Sequence, residues 1–329
     1  MSAYDVIGIG NAIVDVIAHA DDTFLDHMGI EKGIMQLIER DRAEVLYAAM
    51  SDRTQTPGGS VANTIAGIGA LGLSTAFIGK VKNDALGQFY AQGMSDAGTA
   101  FPNVPVPDAD APTSRSMIFV SPDGERSMNT YLGAGADISS ADVDATVFEG
   151  GKILFLEGYL FDKDEGKTAF AEAAAQMKTA GGRTGITLSD PFCADRHRDD
   201  FLQLITENMD FAIGNDAEWL TLYETEDLEA ALEKAASVCD IVVCTRSGNP
   251  VVVRQGATRF EIPVTAVTPV DATGAGDQFA AGFLFGMATG RALDVCGAMG
   301  VMAASEVIGH VGPRPKANIG VMLKSAGLL

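Results

Sequence analysis

The stretch Asp271-Ala272-Thr273-Gly274-Ala275-Gly276-Asp277-Gln278-Phe279 leads into an apolar run, 279–287, that reads as a buried helix. Gly274, Ala275 and Gly276 would then offer backbone N–H groups at a helix N-terminus, with almost no side chain in the way. Such an end carries unpaired donors and partial positive charge, which suits a phosphate. Asp277 is the odd member, because a carboxylate inside an anion site repels the ligand unless it has work there. Taking a proton from a hydroxyl that attacks phosphorus is such work. The plain alternative is a loop followed by an Asp near a helix cap, where Asp is common.

Working outward, the 329 residues suit one large α/β domain with a small appendage, and 47% hydrophobic content allows a sizeable core. A formal net charge of −21 argues against nucleic acid or an anionic membrane as partner. The run 279–290 is about half the length of a membrane span. Cys193, Cys239, Cys244 and Cys296 form no Cys-x-x-Cys pair, and the histidines show no metal spacing. Reduced thiols are expected, and Asp5 and Asp15 break any leader-like apolar start, so a cytoplasmic location is expected.

Segments alternate in type. Strand-like 6–9, 75–78, 153–156, 184–188, 211–213 and 241–244 are interleaved with helix-like 39–50, 60–71, 84–97, 164–179, 218–223 and 228–238. Strand-like 251–254 and 259–262 follow, then helices over 276–290 and 292–308. The alternation predicts a mostly parallel sheet with helices on both faces and ligands beyond the carboxyl ends of its strands. Two regions depart from it. The arms 113–120 and 126–132 flank Ser121-Pro122-Asp123-Gly124, a hairpin signal, and 12–19 and 33–38 look like strands with no helix between them. Together they predict a small separate sheet, either a lid over the cleft or a plain edge extension.

Further stretches sit where a strand gives way to a loop or helix. In Pro57-Gly58-Gly59-Ser60-Val61-Ala62-Asn63-Thr64, paired glycines let a ligand lie against the backbone and Asn63 can donate and accept to a sugar hydroxyl. Asp15 closes Gly10-Asn11-Ala12-Ile13-Val14-Asp15. Asn215-Asp216-Ala217-Glu218 could be a capping Asn followed by a helix-favouring Glu. Two apparent motifs are excluded. Gly67-Ile68-Gly69-Ala70-Leu71-Gly72 ends a helix instead of following a strand, and Gly166-Lys167-Thr168 has Phe161 where a phosphate loop needs glycine.

These stretches together resemble the ribokinase (PfkB) family, whose signature Asp-Thr-x-Gly-Ala-Gly-Asp is matched at 271–277 except for Ala272. The resemblance runs from Asp5 to about Pro315. It implies a single ribokinase-like α/β domain over 1–329, with a lid from about 12–38 and 101–134. It implies ATP-dependent transfer to an alcohol group, with Asp277 as base and Gly274, Ala275 and Gly276 as the anion cradle. Asn11, Asp15, Gly58, Gly59, Ser60 and Asn63 would bind the acceptor. Asn215 would order the ATP phosphates, and Glu218 would hold Mg²⁺ through water. Thr245, Ser247 and Gly248 would lie near the phosphates and ribose, and His310 and Gly312 near the ATP adenine. A need for K⁺ stays open, as does the choice between monomer and homodimer.

Within the family the likeness is greatest to adenosine kinases, on Gln36-Leu37-Ile38-Glu39 and Gly124-Glu125-Arg126-Ser127-Met128. That likeness implies that Arg126 closes onto ATP phosphates, Phe192 stacks on the acceptor base, and Leu37 and Met128 complete an apolar base pocket. The expected reaction is phosphorylation of the 5′-hydroxyl of adenosine. Asp190-Pro191 resembles the sugar kinases of the family instead, so a free sugar is the near alternative acceptor, and a non-catalytic nucleotide-binding regulator is the remote one.

Overall fold

In the computed structural model, which describes residues 4–329, strands and helices alternate as the apolar runs predict. The first strands are β1 (Val6–Ile9), β2 (Ile13–His19), β3 (Met35–Leu37), β4 (Thr54–Gly58), β5 (Thr75–Ile78), β6 (Thr99–Ala100), β7 (Ser114–Val120) and β8 (Arg126–Tyr131). Then come β9 (Ile153–Glu157), β10 (Arg183–Thr187), β11 (Phe211–Asn215), β12 (Ile241–Arg246), β13 (Asn249–Gln255) and β14 (Thr258–Ile262). The large sheet has the order β14-β13-β12-β11-β10-β9-β1-β5-β6, parallel apart from the antiparallel β12–β13–β14 end.

Burial follows the two-residue period of these strands. Val6, Phe155, Phe211 and Val243 join one core with the helices Ser60–Ala70 and Ala275–Ala288, whereas Ile7, Leu154, Ala212 and Val242 join a second with the helix Asp164–Thr179. A sheet covered on both faces needs this near-continuous apolar character. It leaves the carboxyl ends of the strands as the place where polar loops can gather. No helix among the described residues is long and apolar enough to cross a membrane. All four cysteines are unpaired and buried.

The small sheet has the order β3-β8-β7-β2-β4. It differs from expectation in three ways. A helix, Asp22–Met28, stands between β2 and β3, capped by Asp21 and ended by Gly29 in the left-handed region. A fifth strand, β4, comes from a third stretch of chain for which no strand is expected from the sequence. Pro57 lies in β4, and an edge strand tolerates a residue with no N–H to give. Residues 101–113 add no strand to this sheet; their Val106 bridges to Lys82 instead.

Pairing register assigns the faces of this sheet. Asp15 lies opposite Ser116, Ser116 opposite Thr130, and Thr130 opposite Leu37. Met35 lies opposite Met128, two residues from Thr130, so Asp15, Met35, Leu37, Met128 and Arg126 share one face. The other face is closed by helices: Phe119 packs on Phe24, Arg115 pairs with Glu44 at 2.7 Å, and Gln55 donates to Tyr47. The first face is therefore the one turned toward the large sheet.

Candidate active site

The helix Ala275–Ala288 starts at Gly274, which adopts φ 81° and lies so close to Pro313 that a Cβ would stand 2.5 Å from the Pro313 carbonyl oxygen. Only glycine allows both. The Gly274, Gly276 and Asp277 amides have no protein acceptor among the described residues, and the space beside Gly276 is open. The Ala275 amide departs from the expected cradle, since it donates to the Ala272 carbonyl at 3.2 Å.

Asp277 follows in the first turn, half-buried. Its carboxylate accepts from Ser60 Oγ at 2.7 Å and from Asn63 Nδ2 at 3.1 Å, both on the helix Ser60–Ala70. That helix begins beside the cleft because Gly59, at φ 98°, lets the chain turn against the Asn11 carbonyl; a Cβ there would sit 2.2 Å from the oxygen. Burial pushes the Asp277 carboxyl up to about 6, against the pull of Ser60, Asn63 and Arg314. A carboxylate with that pKa is mostly ionised at neutral pH yet basic enough to take a proton.

Asp15 reaches the same space from β2. It accepts no hydrogen bond from a protein group among the described residues, and burial pushes its carboxyl up to about 7, offset by Arg126 and Arg314. Asn11, after β1, is fully enclosed and donates through N–H and Nδ2 to Glu157 Oε1 at 3.2 and 3.0 Å. Gly58 ends β4 opposite Ile13. Leu37 and Met35 remain 47% and 43% exposed on the cleft-facing side of the small sheet, with Met128 half-buried beside them.

A narrow cavity runs from Asp277, Gly276 and Ser60 to Asn215, Glu218 and Thr245, at the ends of β11 and β12. Asn215 and Glu218 form a reciprocal capping box: the Asn215 N–H and Nδ2 donate to the two Glu218 oxygens at 2.8 and 2.7 Å, and the Glu218 N–H donates back at 2.9 Å. The capping alternative is thus realised, and both Glu218 oxygens already have a partner. Burial pushes the Glu218 carboxyl up to about 7. Among the described residues no group of three His, Cys, Asp or Glu side chains is arranged to hold a metal ion.

Ser247, at φ 53°, and Gly248 make the turn between β12 and β13. His310 is held by Glu306 at 3.2 Å, and Glu306 also accepts from the Lys316 and Ala317 amides, so this histidine braces its own loop. Phe192 sits in the first turn of the helix Pro191–Arg196, 77% exposed, three residues after Ser189, which lines the cavity. The Asp190 side chain, which could have faced a sugar, caps that helix through the Cys193 amide.

Arg126 departs from its expected partner. Its Nη1 donates to Asp271 Oδ2 at 2.5 Å, while Nε and Nη2 are buried with no acceptor. Asp271 also accepts from the Thr273 and Gly312 amides. Burial works against its ionisation, but these bonds and the Arg126 charge hold its pKa below the ordinary carboxylate value. The first Asp of the signature therefore ties the small sheet, the glycine turn and the Gly312 loop together.

Two site residues were missed from sequence. Glu157 ends β9, is 1% exposed, and accepts from Asn11 and from the Val61 amide at 2.9 Å; burial pushes it up to about 7. Its signal was a charged residue ending an apolar strand at the carboxyl end of a parallel sheet. Replacing it with Gln puts a donor against N–H groups, with an expected stability loss of about 1–3 kcal/mol. Denaturant unfolding measures this, and an unchanged midpoint would contradict the role. The other is Arg314, whose Nε donates to Asn63 Oδ1 at 3.1 Å.

The profile of the pfkB family carbohydrate kinases matches residues 29–318. A solved adenosine kinase from Sinorhizobium meliloti is 45% identical, with 99% of this chain and 100% of that chain covered and a TM-score of 0.91. A structure described as a probable sugar kinase from Rhizobium etli CFN 42 is 42% identical over all of both chains, with a TM-score of 0.92. Adenosine kinase 2 of Arabidopsis thaliana is 27% identical over 94% of this chain and 96% of its own. With these relatives, the glycine-led helix and its cleft define a phosphotransferase that acts on a hydroxyl group. The chain belongs to the pfkB family of carbohydrate kinases, and kinases of this kind use ATP as donor.

Proposed function

We propose that the acceptor is a nucleoside, adenosine, phosphorylated on its 5′-hydroxyl with Asp277 as general base. The observation that carries this reading is the cleft-facing side of the small sheet. Asp15 offers a carboxylate with no protein donor among the described residues, while Met35 and Leu37 leave apolar surface open beside it. One carboxylate accepts from two neighbouring ribose hydroxyls, and a flat base covers the apolar side chains. A free sugar would use the first feature and leave the second wet.

The 5′-hydroxyl then lies toward Asp277, which accepts its proton as the oxygen attacks the terminal phosphorus. The free Gly274, Gly276 and Asp277 amides receive the negative charge spreading over the transferred group. Arg126 supplies further positive charge through the nitrogens that Asp271 leaves unpaired. Asn215 and Thr245, which line the cavity, and Ser247 and Gly248 in the turn after β12 would face the nucleotide. A Mg²⁺ ion carried on the ATP phosphates would neutralise phosphate charge, with Glu218, held by Asn215, reaching it through water. The small sheet acts as the lid that keeps competing water out.

A panel of adenosine, guanosine, ribose and fructose with ATP tests this. Adenosine should lead in kcat/KM by about a hundredfold over either free sugar, since the base contact contributes a few kcal/mol. A leading sugar would replace the proposal with a sugar kinase.

A further inference from the structure

We infer that Arg314 is a positioning residue that locks the Asn63 amide in one orientation and so fixes the catalytic carboxylate of Asp277. The inference rests on Asp277 being the base.

Arg314 stands between Pro313 and Pro315 in the loop that packs on Gly274. A primary amide can sit in its density of contacts either way round unless its neighbours distinguish oxygen from nitrogen. Here they do. A guanidinium only donates, and its Nε reaches Asn63 Oδ1 at 3.1 Å, so the carbonyl end of Asn63 is taken. The NH₂ end must then face Asp277, which it does at 3.1 Å. In the flipped state a carbonyl would oppose the carboxylate and an NH₂ would oppose the guanidinium, both repulsive. Gln278, next to Asp277, holds the backbone of both residues by donating to the Asn63 and Pro313 main-chain carbonyls, each at 3.2 Å.

Charge adds to geometry. The groups facing Asp277 are Ser60 and Asn63 from one helix, Asp15 from β2, Glu157 from β9, and Arg314. Arg126 serves Asp15, and no second charged side chain comes from the first turn of the Asp277 helix. Asp15 and Asp277 therefore share Arg314 as a near cation. Burial lowers the proton affinity of the Arg314 guanidinium, and Tyr90, Asp15 and Asp277 act against that. Without this cation, Asp277 keeps its proton to higher pH.

The test compares pH–rate profiles of the full-length wild type, R314M, R314K and D277N. R314M should lose at least tenfold in kcat and move the acidic limb upward by about one pH unit, the scale of one lost neighbouring charge. R314K should return the limb to within a few tenths of the wild type, because its ammonium also only donates and stays charged. R314Q serves if the Met variant does not fold. A loss of kcat with an unmoved limb, or no loss at all, overturns the inference. D277N distinguishes the underlying reading: near-normal turnover there removes the base, whereas a slow D277N beside an unaltered R314M removes only Arg314. In a cycle with N63A, the kcat loss from R314M should shrink; full additivity would show that Arg314 acts without Asn63.

Discussion

D277N should lower kcat by roughly 10²–10⁴-fold while leaving nucleoside affinity nearly unchanged. The substitution keeps the shape of the side chain and an oxygen that can accept from Ser60 or Asn63, whose bonds to Asp277 are 2.7 and 3.1 Å. It removes only the ability to take a proton. In the wild type, turnover should fall below about pH 6, where burial has set the Asp277 carboxyl. The variant's residual turnover should not show that limb. Single-turnover measurements across pH 5–9 check both statements, and a variant within tenfold of wild type would remove the assignment.

The same residue makes a second, opposite statement about stability. Its folded-state value, about 6, lies above the 3.8 of an ordinary Asp, so the folded protein binds this proton more tightly than the unfolded chain. Stability is therefore lost as pH rises from about 4 to about 6, and is then level. Asn carries no such charge. Without substrate, D277N should melt above the wild type at pH 8, and the gap should close as pH falls through 6. A structural carboxylate would give the reverse, and a lower melting temperature for D277N at pH 8 would mark Asp277 as one. Groups retained against stability are characteristic of functional sites.

Much of the fold was legible because strands buried on both faces leave apolar runs such as 6–9 and 241–244, and the helices between them keep their own period. The glycine motifs were legible because backbone demands restrict residue choice: Gly59 and Gly274 stand at positive φ beside main-chain atoms. What stayed hidden depended on partners far along the chain. β4 is a strand only because β2 lies beside it, and Thr-Gln-Thr-Pro-Gly carries little strand signal of its own. Glu157 and Arg314 take their meaning from Asn11 and Asn63, more than a hundred residues away. Arg126 was read through a likeness, and its pairing with Asp271 needed coordinates. The helix Asp22–Met28 did leave local signals, an N-capping Asp21 and a terminating Gly29, and was short enough to pass as loop.

D15A should act on binding, where D277N acts on the chemical step. Asp15 is 8% exposed, and no protein donor among the described residues satisfies its carboxylate. Two acceptor hydroxyls would supply charge-assisted hydrogen bonds, each contributing about 1.5–3 kcal/mol. Their loss should raise the acceptor KM by roughly a hundredfold or more, with kcat reduced far less than in D277N. The charge also predicts proton traffic. Burial sets the Asp15 carboxyl at about 7, so near that pH the empty cleft holds a partly protonated Asp15. Hydroxyls that donate to the ionised form lower its pKa, and binding must then release protons. Titration calorimetry of adenosine without ATP, repeated at pH 6.5–7 in buffers of different ionisation enthalpy, measures that release directly. The release should vanish in D15A and persist in R314K, which keeps the neighbouring cation. Tight binding of adenosine by D15A, with the proton release intact, would show that the ribose is gripped by another group and that this carboxylate is idle.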